Sequence, residues 1–327
     1  MTMLRSVPEG PFVLNVYKPS GVTSAHVVNR FKHMLPKKTK IGHFGTLDPF
    51  ASGVLLLGIG GASKINDFVH KYLPKTYLAL GRFGSQTDTG DYTGCVIREK
   101  RSSFSIESLK ELKDINDNLK TKFLGNYYQT PPSFSAVKYK GKALYKWARE
   151  GAIIKKDPVL REIYKLEVLP AKAPYFLFRV QVSSGTYIRT LFEDIANCLG
   201  EVGTLAALTR ESIGKISIKD ALNEKGWLPK GERFRTTLDW SPHCLLRMDE
   251  ILPFKKAILS PPNDLGYING KQICRNRVAS WAKESFDQGK IVEPIWITNQ
   301  EGKLLGLSRE EKGFFSPYFN LPTKSHF

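Results

Sequence analysis

Between Ile41 and Gly53 the chain reads IGHFGTLDPFASG, and the apolar run VLLL follows directly. The glycines permit backbone conformations that are closed to other residues, and Pro49 disfavours helix at Asp48. A rigid loop that carries one carboxylate and leads into a buried strand is a typical place for catalytic chemistry. The local alternative is that Asp48 caps a turn, as aspartate often does, and this stretch taken alone favours that alternative.

The composition is typical of a folded globular protein, but it has a large excess of positive charge. Of the 327 residues, 41% are hydrophobic and 24% are charged, which suits one large globular domain with a smaller one beside it. Lysine and arginine number 49 against 31 acidic residues, so the formal net charge is +18. This excess favours a polyanionic partner, with nucleic acid ranked before an anionic membrane. The alternative is a generic basic surface that serves solubility.

Targeting signals and cysteine spacing bear on the compartment. The sequence has no apolar run long enough to span a bilayer, and residues 1–11 lack the apolar core of a signal peptide. The four cysteines lie far apart and form no Cys-x-x-Cys pair. That spacing disfavours a zinc site or a disulfide framework and favours a reducing compartment. We therefore expect a cytoplasmic protein.

Hydrophobic periodicity predicts a chain that mixes strands with helices. Strands are predicted at 12–17, 54–59, 75–83 and 176–182. Helices are predicted at 24–35, 63–72, 106–123, 142–150 and 187–199. Beyond a domain boundary expected near 246–252, short strands are predicted at 267–271, 291–297, 303–307 and 314–319.

Two loops are similar to ligand-binding motifs without matching them. Gly58–Lys64 lacks both the Gly-Lys-Ser/Thr of a P-loop and the third glycine of a dinucleotide-binding turn. Thr87–Gly94 is similar to part of a calcium loop but lacks the closing glutamate. We expect a turn at the second loop and no metal site.

Two further features indicate an anionic partner. Arg189 falls in the first turn of a predicted helix, where a cation opposes the helix dipole at a cost of up to about 1 kcal/mol. That position suggests a carboxylate or phosphate partner, with Glu193 as the local alternative. Between Lys138 and Arg149, cations alternate with aromatic rings. This alternation suits a nucleic-acid surface, and ordinary helix amphipathicity explains it equally well.

Seven separated segments together resemble the TruB family of tRNA pseudouridine synthases. They occur in the family's order between about residues 12 and 215, and an ordered set of this kind is highly specific. The segments are Lys18–Ser24, Gly42–Gly53, Lys75–Tyr77, Thr87–Asp91, Gln129–Gly141, Leu144–Gly151 and Ser183–Arg189. A later segment, Leu208–Gly214, follows the family's Leu-x-Arg-x-x-x-Gly pattern.

The resemblance implies a fold and a reaction. The fold is an α+β pseudouridine synthase domain, expected at 1–248, with a mixed, mostly antiparallel central sheet and flanking helices. Residues 249–327 resemble a small, β-rich, PUA-like RNA-binding domain. The reaction is a cofactor-free isomerisation of a uridine in the tRNA T-loop, conventionally numbered 55. The implied partner is the T-arm of tRNA, with no membrane and no required protein partner, and we expect a monomer.

The resemblance also assigns roles to individual residues. Asp48 is the expected catalytic carboxylate, Arg189 its partner, and Tyr77 the ring that stacks on the target base and is a candidate for proton transfer. Substrate or RNA contacts are implied for His43, Tyr187, Leu208, Lys18, Lys64 and Lys138. The sequence leaves open whether Asp48 attacks C1′ or removes a proton from the sugar.

Two other classes of function stay open at this point. The first is a catalytically silent protein that binds or folds tRNA, which the presence of Asp48, Tyr77 and Arg189 disfavours. The second is a nucleoside or glycoside hydrolase, which usually needs a second catalytic carboxylate. Only Asp88 and Asp91 lie in nearby motifs, and the family pattern gives neither of them an acid–base role.

Overall fold

The computed structural model describes residues 11–223, 242–252, 254–281 and 294–321. The first fourteen strands are β1 (Phe12–Lys18), β2 (Ile41–His43), β3 (Ser52–Ile59), β4 (Lys75–Phe83), β5 (Ser85–Thr87), β6 (Val96–Glu99), β7 (Gly125–Gln129), β8 (Lys138–Tyr139), β9 (Lys142–Ala143), β10 (Val159–Leu169), β11 (Tyr175–Val182), β12 (Gly203–Ile213), β13 (Ile216–Ser217) and β14 (Leu245–Leu246). The helices among them are α1 (Ser24–Met34), α2 (Asn66–Tyr72), α3 (Leu109–Phe123), α4 (Leu144–Arg149) and α5 (Ile188–Cys198).

A mixed, mostly antiparallel sheet organises this part of the chain. Its strand order is β14-β1-β3-β12-β4-β11-β10-β7, with β2 beside β3 and β13 beside β12. The pairing of β3 with β12 is parallel, and it aligns Ser52 with Thr209 and Gly53 with Arg210. Strand β4 lies between β11 and β12, antiparallel to both. The loop that precedes β3 therefore enters the middle of the sheet, which is where Asp48 lies.

Helix α5 packs closely on the sheet because a glycine lies beneath it. A Cβ added to Gly81 on β4 would lie 2.0 Å from the Phe192 ring, so only glycine permits this approach. Phe192 stacks on Phe83 and Phe178, with ring centroids 5.6 and 5.9 Å apart. These aromatic contacts help to fix α5 over β4 and place the start of the helix beside the Asp48 loop.

A separate six-stranded sheet forms the C-terminal part. Its strands are β15 (Lys256–Leu259), β16 (Ile273–Cys274), β17 (Val278–Trp281), β18 (Ile295–Asn299), β19 (Leu304–Glu311) and β20 (Phe314–Asn320), in the order β16-β20-β19-β18-β15-β17. Two short helices accompany it, α6 (Met248–Ile251) and α7 (Asn263–Ile268). Buried Trp296 and Leu307 share a core with Val54 and Leu56 of β3, so this sheet packs against the first one. The fold is α+β, as predicted.

Most of the predicted elements are confirmed, and one is wrong. The four strands predicted before residue 183 and the helices near 24–35, 106–123, 142–150 and 187–199 are present with small shifts at their ends. The helix predicted at 63–72 consists of a 3-10 turn, Gly60–Ile65, followed by α2.

The strand predicted at 267–271 is instead the end of helix α7. Pro262 begins the helix, and Gly270, at φ +85°, follows its last turn. Tyr267 is fully buried there, and its hydroxyl is 2.7 Å from the Ser308 hydroxyl. In the strand predicted at 291–297, β18 begins at Ile295, and residues 291–293 lie outside the described part of the chain.

Candidate active site

Asp48 lies in the loop between β2 and β3, and 34% of its side chain is exposed. A backbone bond of 3.1 Å from the Ala51 amide to the Asp48 carbonyl closes a tight turn. Asp48 therefore sits in a turn, but its carboxylate is directed to Arg189 and does not cap that turn. The carboxylate is accessible and its backbone is held, which is the arrangement that a catalytic carboxylate requires.

The segment that leads into α1 holds the Asp48 loop from one side. Lys18 is fully buried, and its ammonium donates to the carbonyls of Pro19, Val22 and Pro49, at 2.8, 2.7 and 3.3 Å. Burial lowers the pKa of Lys18 to about 8, with the nearby Arg210 adding to the shift and Asp48 opposing it. Lys18 therefore braces the loop from the interior and does not present its charge to RNA in this conformation.

Ser24 adds a second anchor from the same segment. Its hydroxyl donates to the Leu47 carbonyl at 3.0 Å and accepts from the Leu47 amide at 2.9 Å. Ser20 donates to the Phe50 carbonyl at 2.6 Å. The Lys18–Ser24 segment thus contacts the residues on both sides of Asp48, which explains structurally why the two segments belong together.

Arg210 holds the loop from the opposite side. It is buried on β12, and its guanidinium donates to the carbonyls of Val54, Thr46 and Gly45 at 2.7, 3.4 and 3.2 Å. Gly53 permits the contact of β3 with β12, because an added Cβ would lie 2.3 Å from the Arg210 carbonyl oxygen and φ at Gly53 is +113°. The Leu-x-Arg-x-x-x-Gly pattern contained Arg210, but the sequence did not show that Arg210 braces the loop of Asp48.

Arg189 pairs with Asp48 as predicted. Its Nε donates to Asp48 Oδ2 at 2.9 Å, while the Arg189 side chain is only 4% exposed. The hydrogen bond is charge-assisted, and the partial burial of the pair strengthens the attraction between the two side chains. The ion pairs of Arg189 in the described part of the chain are with Asp48 and, at 3.9 Å, with Asp91. The local alternative, Glu193, does not form one.

The remaining donors of Arg189 bond to two more of the segments that resemble the TruB family. One terminal nitrogen donates to the Thr89 carbonyl, and the other donates to the Phe134 carbonyl at 2.9 Å. These contacts satisfy the guanidinium and offset its unfavourable position at the start of α5. The Thr87–Asp91 and Gln129–Gly141 segments therefore meet at one buried side chain.

Tyr77 lies on β4 beneath this loop. It is 7% exposed and shares a core with Leu47 and Phe50, which flank Asp48 in the sequence. Leu208, 5% exposed on the neighbouring strand β12, belongs to the same core. Tyr77 and Leu208 thus belong to the buried core that also holds the residues flanking Asp48, and we call these two side chains the apolar floor.

Tyr187 precedes α5 and is fixed through its backbone by Gln129. The buried Gln129 amide accepts from the Tyr187 N–H at 2.7 Å and donates to the Tyr187 carbonyl at 2.9 Å. Burial raises the pKa of the Tyr187 hydroxyl, and the negative charge of Asp48 contributes to the shift. Gln129 lies in one of the segments that resemble the family, but the sequence did not predict that it fixes the backbone of Tyr187.

The other predicted RNA contacts lie away from this pair. His43 is half-buried on β2, and burial followed by the charge of Arg210 lowers its pKa. Its Nδ1 is buried without a hydrogen-bond partner in the described part of the chain. Lys64 donates to the Asn320 carbonyl at 2.8 Å on the C-terminal sheet. Lys138 is exposed on the small β8–β9 hairpin.

Among the described residues, no group of three or more His, Cys, Asp or Glu side chains is placed to hold a metal ion. None of the helices described is long and apolar enough to cross a membrane.

Comparison with solved structures supports the fold assignment. The structure of a Cbf5-Nop10-Gar1 complex contains a chain that aligns with a TM-score of 0.65 and 21% sequence identity, covering 94% of this chain and 84% of that one. A second similar structure, an H/ACA RNP bound to a substrate RNA containing 2′-deoxyuridine, aligns with a TM-score of 0.63 and 21% identity, over 95% and 84% of the two chains. At this level of identity the likeness shows a shared fold.

Sequence comparison identifies the family. Residues 32–188 match the model of the N-terminal domain of TruB family pseudouridylate synthases. A tRNA pseudouridine synthase B of Thermotoga maritima is 37% identical over 305 residues, which cover 92% of this chain and 90% of the relative. That of Caldicellulosiruptor saccharolyticus is 43% identical over 300 residues, or 89% and 94% of the two chains. The protein is thus a pseudouridylate synthase by class. More particularly, the chain belongs to the TruB family.

Proposed function

We propose that this enzyme converts a uridine of tRNA to pseudouridine, that the target is the T-loop uridine numbered 55, and that no cofactor is needed. The relatives named tRNA pseudouridine synthase B support the substrate. The observation that carries the proposal is the accessible Asp48 carboxylate, held at 2.9 Å by the buried Arg189, in a loop whose residues on either side of Asp48 share a core with the apolar floor.

The reaction breaks one bond and forms another, and its atoms balance without any added reagent. The N1–C1′ bond breaks, the base turns in its pocket, C5 is joined to C1′, and the hydrogen lost from C5 is balanced by a proton gained at N1. Asp48 acts in its ionised form, either by bonding to C1′ or by removing a proton from the sugar. Arg189 stabilises that form and fixes its direction, because all of its bonds are made to rigid segments.

The base has to leave the RNA stack to reach Asp48. Flipping costs a few kcal/mol, which stacking and pocket contacts offset. In this proposal Tyr77 supplies the stacking ring and Leu208 the apolar wall, with Tyr187 beside them. Tyr77 is also the candidate for proton transfer at C5, because its ring lies against the base.

Positive charge supplies the affinity for the RNA backbone. The formal net charge of +18 suits the polyanionic T-arm of tRNA, and the resulting binding weakens as salt increases. Half-buried His43, exposed Lys138 and Lys64 serve as RNA contacts in this proposal. Lys18 acts differently: it positions the catalytic loop, because its ammonium is used by three backbone carbonyls.

The same proposal extends to organisation and location. Residues 1–248 form the catalytic domain and 249–327 a PUA-like RNA-binding domain, consistent with the separate second sheet. The enzyme acts in the cytoplasm as a monomer and needs no protein partner.

One experiment tests the proposed reaction. Purified full-length protein is incubated with an unmodified tRNA transcript without added cofactor, and pseudouridine is mapped nucleotide by nucleotide. We expect conversion at the T-loop position alone. Unmodified RNA would support a silent binding protein, release of free uracil would support a hydrolase, and conversion elsewhere would overturn the assigned position.

A further inference from the structure

A pocket with a basic wall lies beside the Asp48 loop and has no role in the reaction described above. Its volume is about 310 Å³, and its lining includes His70, Arg161, Glu162, Tyr164, Ser183 and Ser184. We call this cavity the Ser184 pocket. Gly45, in the loop that carries Asp48, lies close to this pocket, since a Cβ added there would be 3.4 Å from His70 and 3.5 Å from Lys75.

Ser184 links the wall of this pocket to a buried cation. Lys75 is 4% exposed, and its Nζ donates to the Ser184 hydroxyl at 2.6 Å. That hydroxyl is also 2.6 Å from His70 Nδ1. Burial, together with the charge of Lys75, lowers the pKa of His70 to about 4, so the ring is neutral at pH 7. Its Nδ1 then accepts from Ser184, and its proton resides on Nε2.

In the described part of the chain Lys75 and Arg210 form no ion pair, and the carboxylate that acts on the cluster is Asp67, whose charge opposes the fall in the pKa of His70. Burial and the charge of Arg210 lower the pKa of Lys75 to about 7, and no carboxylate opposes the shift. Arg210 itself donates only to backbone carbonyls. A buried cation without an ion pair is stabilised by an anion placed close to it, so a ligand with negative charge in the Ser184 pocket would favour the charged form of Lys75.

Arg161 brings a further cation to the pocket. Its guanidinium carbon would be 3.1 Å from a Cβ on Gly185, and its charge acts on the Tyr187 hydroxyl, where it partly opposes the rise in pKa that burial causes. It forms no ion pair within the described residues. Arg161 therefore lies between the Ser184 pocket and the active site with its charge available. The acidic residue of the lining, Glu162, interacts with the Tyr164 hydroxyl.

We propose that the Ser184 pocket binds a phosphodiester group of the RNA backbone close to the flipped nucleotide, with Arg161 and His70 as its donors and with Ser184 linking His70 to the Lys75 ammonium behind them. The proposal rests on the proposed function, which brings RNA to the adjacent site. The chemistry favours a phosphate group because the Arg161 guanidinium and the His70 N–H are both donors suited to phosphate oxygens. A phosphate bound in the Ser184 pocket would hold the RNA strand while the flipped base lies against Tyr77 and Leu208.

The first test uses single-turnover kinetics with the full-length enzyme in excess over tRNA. Arg161→Gln is expected to raise the half-saturating enzyme concentration about tenfold, as the loss of one charged hydrogen bond predicts. The slope of log affinity against log salt should fall by about one. Lys172→Gln is the matched control, because it removes an exposed charge from the far end of the β10–β11 hairpin. It should change neither quantity. Equal effects of the two substitutions would overturn the proposal.

The second test locates the phosphate. Neutral methylphosphonates are placed one at a time in the T-arm of the tRNA, and each RNA is assayed with wild type, Arg161→Gln and Ser184→Ala. We expect one position at which the methylphosphonate lowers the affinity of the wild type for tRNA but does not lower the affinity of the two variants any further. If the methylphosphonate and the substitution lower the affinity independently at every position, the proposal is overturned. If inorganic phosphate at matched ionic strength competes with tRNA and no methylphosphonate position shows this effect, the ligand of the pocket is a free anion. That result would also overturn the proposal.

The proposed function and the assignment of the Ser184 pocket can be disproved separately. If the wild type forms no pseudouridine in any tRNA, the proposed function fails. If it forms pseudouridine while the methylphosphonate series shows no coupling to Arg161 or Ser184, only the pocket assignment fails.

Discussion

Arg189 Nε donates to Asp48 Oδ2 across 2.9 Å, although the two residues are 141 positions apart in the sequence. The pair is asymmetric: the arginine is 4% exposed and the carboxylate 34% exposed. The buried partner is fixed by further bonds to the Thr89 and Phe134 carbonyls. The fold therefore presents the carboxylate to a ligand from a rigid cationic support.

Arg189→Lys tests whether the geometry of this support matters beyond its charge. Lysine keeps the charge but cannot make the three directed bonds of the guanidinium. We expect the single-turnover rate at saturating enzyme to fall on the order of a hundredfold, with tRNA affinity nearly unchanged. Arg179→Lys, in a surface pair with Glu211, is the control and should leave the rate unchanged. A rate for Arg189→Lys equal to wild type would show that charge alone is sufficient.

Ser24 and Thr23 are neighbours with different structural roles, and the contrast gives a second prediction. Ser24→Ala removes both bonds to Leu47 and should lower the free energy of unfolding by about 1–3 kcal/mol. Thr23→Ala removes the side-chain cap of α1, whose bond to the His26 amide is 3.0 Å long, and should cost about 1 kcal/mol.

Only the Ser24 change should reduce the rate of pseudouridine formation, because only Ser24 anchors the loop of Asp48. Urea unfolding and single-turnover assays of both variants provide the comparison. Equal rates for the two variants would contradict the role given to Ser24.

Gly53→Ala should strongly destabilise the protein. The substitution adds a Cβ 2.3 Å from the Arg210 carbonyl oxygen at a residue whose φ is +113°, so strain and steric overlap act together. We expect a loss of ~3 kcal/mol in the free energy of unfolding. Gly200→Ala is the control, with φ +73° and no atom within 4 Å of the added Cβ, and should cost about 1 kcal/mol. Similar losses for the two substitutions would contradict the close β3–β12 contact.

Glu193 predicts a specific pH dependence of stability. Burial, with Asp194 nearby, raises the pKa of the Glu193 carboxyl from 4.5 to about 7. The folded state therefore binds a proton more tightly than the unfolded chain. The stability that this group contributes is complete below pH 4.5 and is lost as the pH rises towards 7.

The measurement compares urea unfolding of wild type and Glu193→Gln from pH 4.5 to 8. Wild type should lose stability relative to the variant across the interval from 4.5 to 7, and the difference should be constant above it. Glu99→Gln, which removes a carboxyl from exposed β6, provides the control. A difference that does not change with pH would contradict the burial effect at Glu193.

Local patterns were sufficient for most elements but not for contacts between distant segments. The alternation in β4 and the apolar face of α5 predicted both elements, because each pattern records which face is buried. The strand predicted at 267–271 was wrong because Gly270 ends helix α7 there.

In the candidate site, too, local patterns predicted some features, while contacts between distant segments could not be predicted. The unfavourable dipole position of Arg189 predicted an anionic partner, and family resemblance identified that partner as Asp48. No local pattern could show that Lys18 and Arg210 would be buried as braces of the loop, since lysine and arginine are usually exposed. Their hydrogen bonds arise from the parallel pairing of β3 with β12 and from the return of the loop onto β1.

The most direct test of the central claim is the single-turnover rate of Asp48→Asn on a tRNA transcript at saturating enzyme. The substitution keeps the size and one acceptor oxygen of the side chain but removes its charge. Asp88→Asn, in the neighbouring acidic loop, is the matched control. The account predicts that Asp48→Asn binds tRNA but forms no pseudouridine, while Asp88→Asn does. Conversion by Asp48→Asn at the wild-type rate would contradict it.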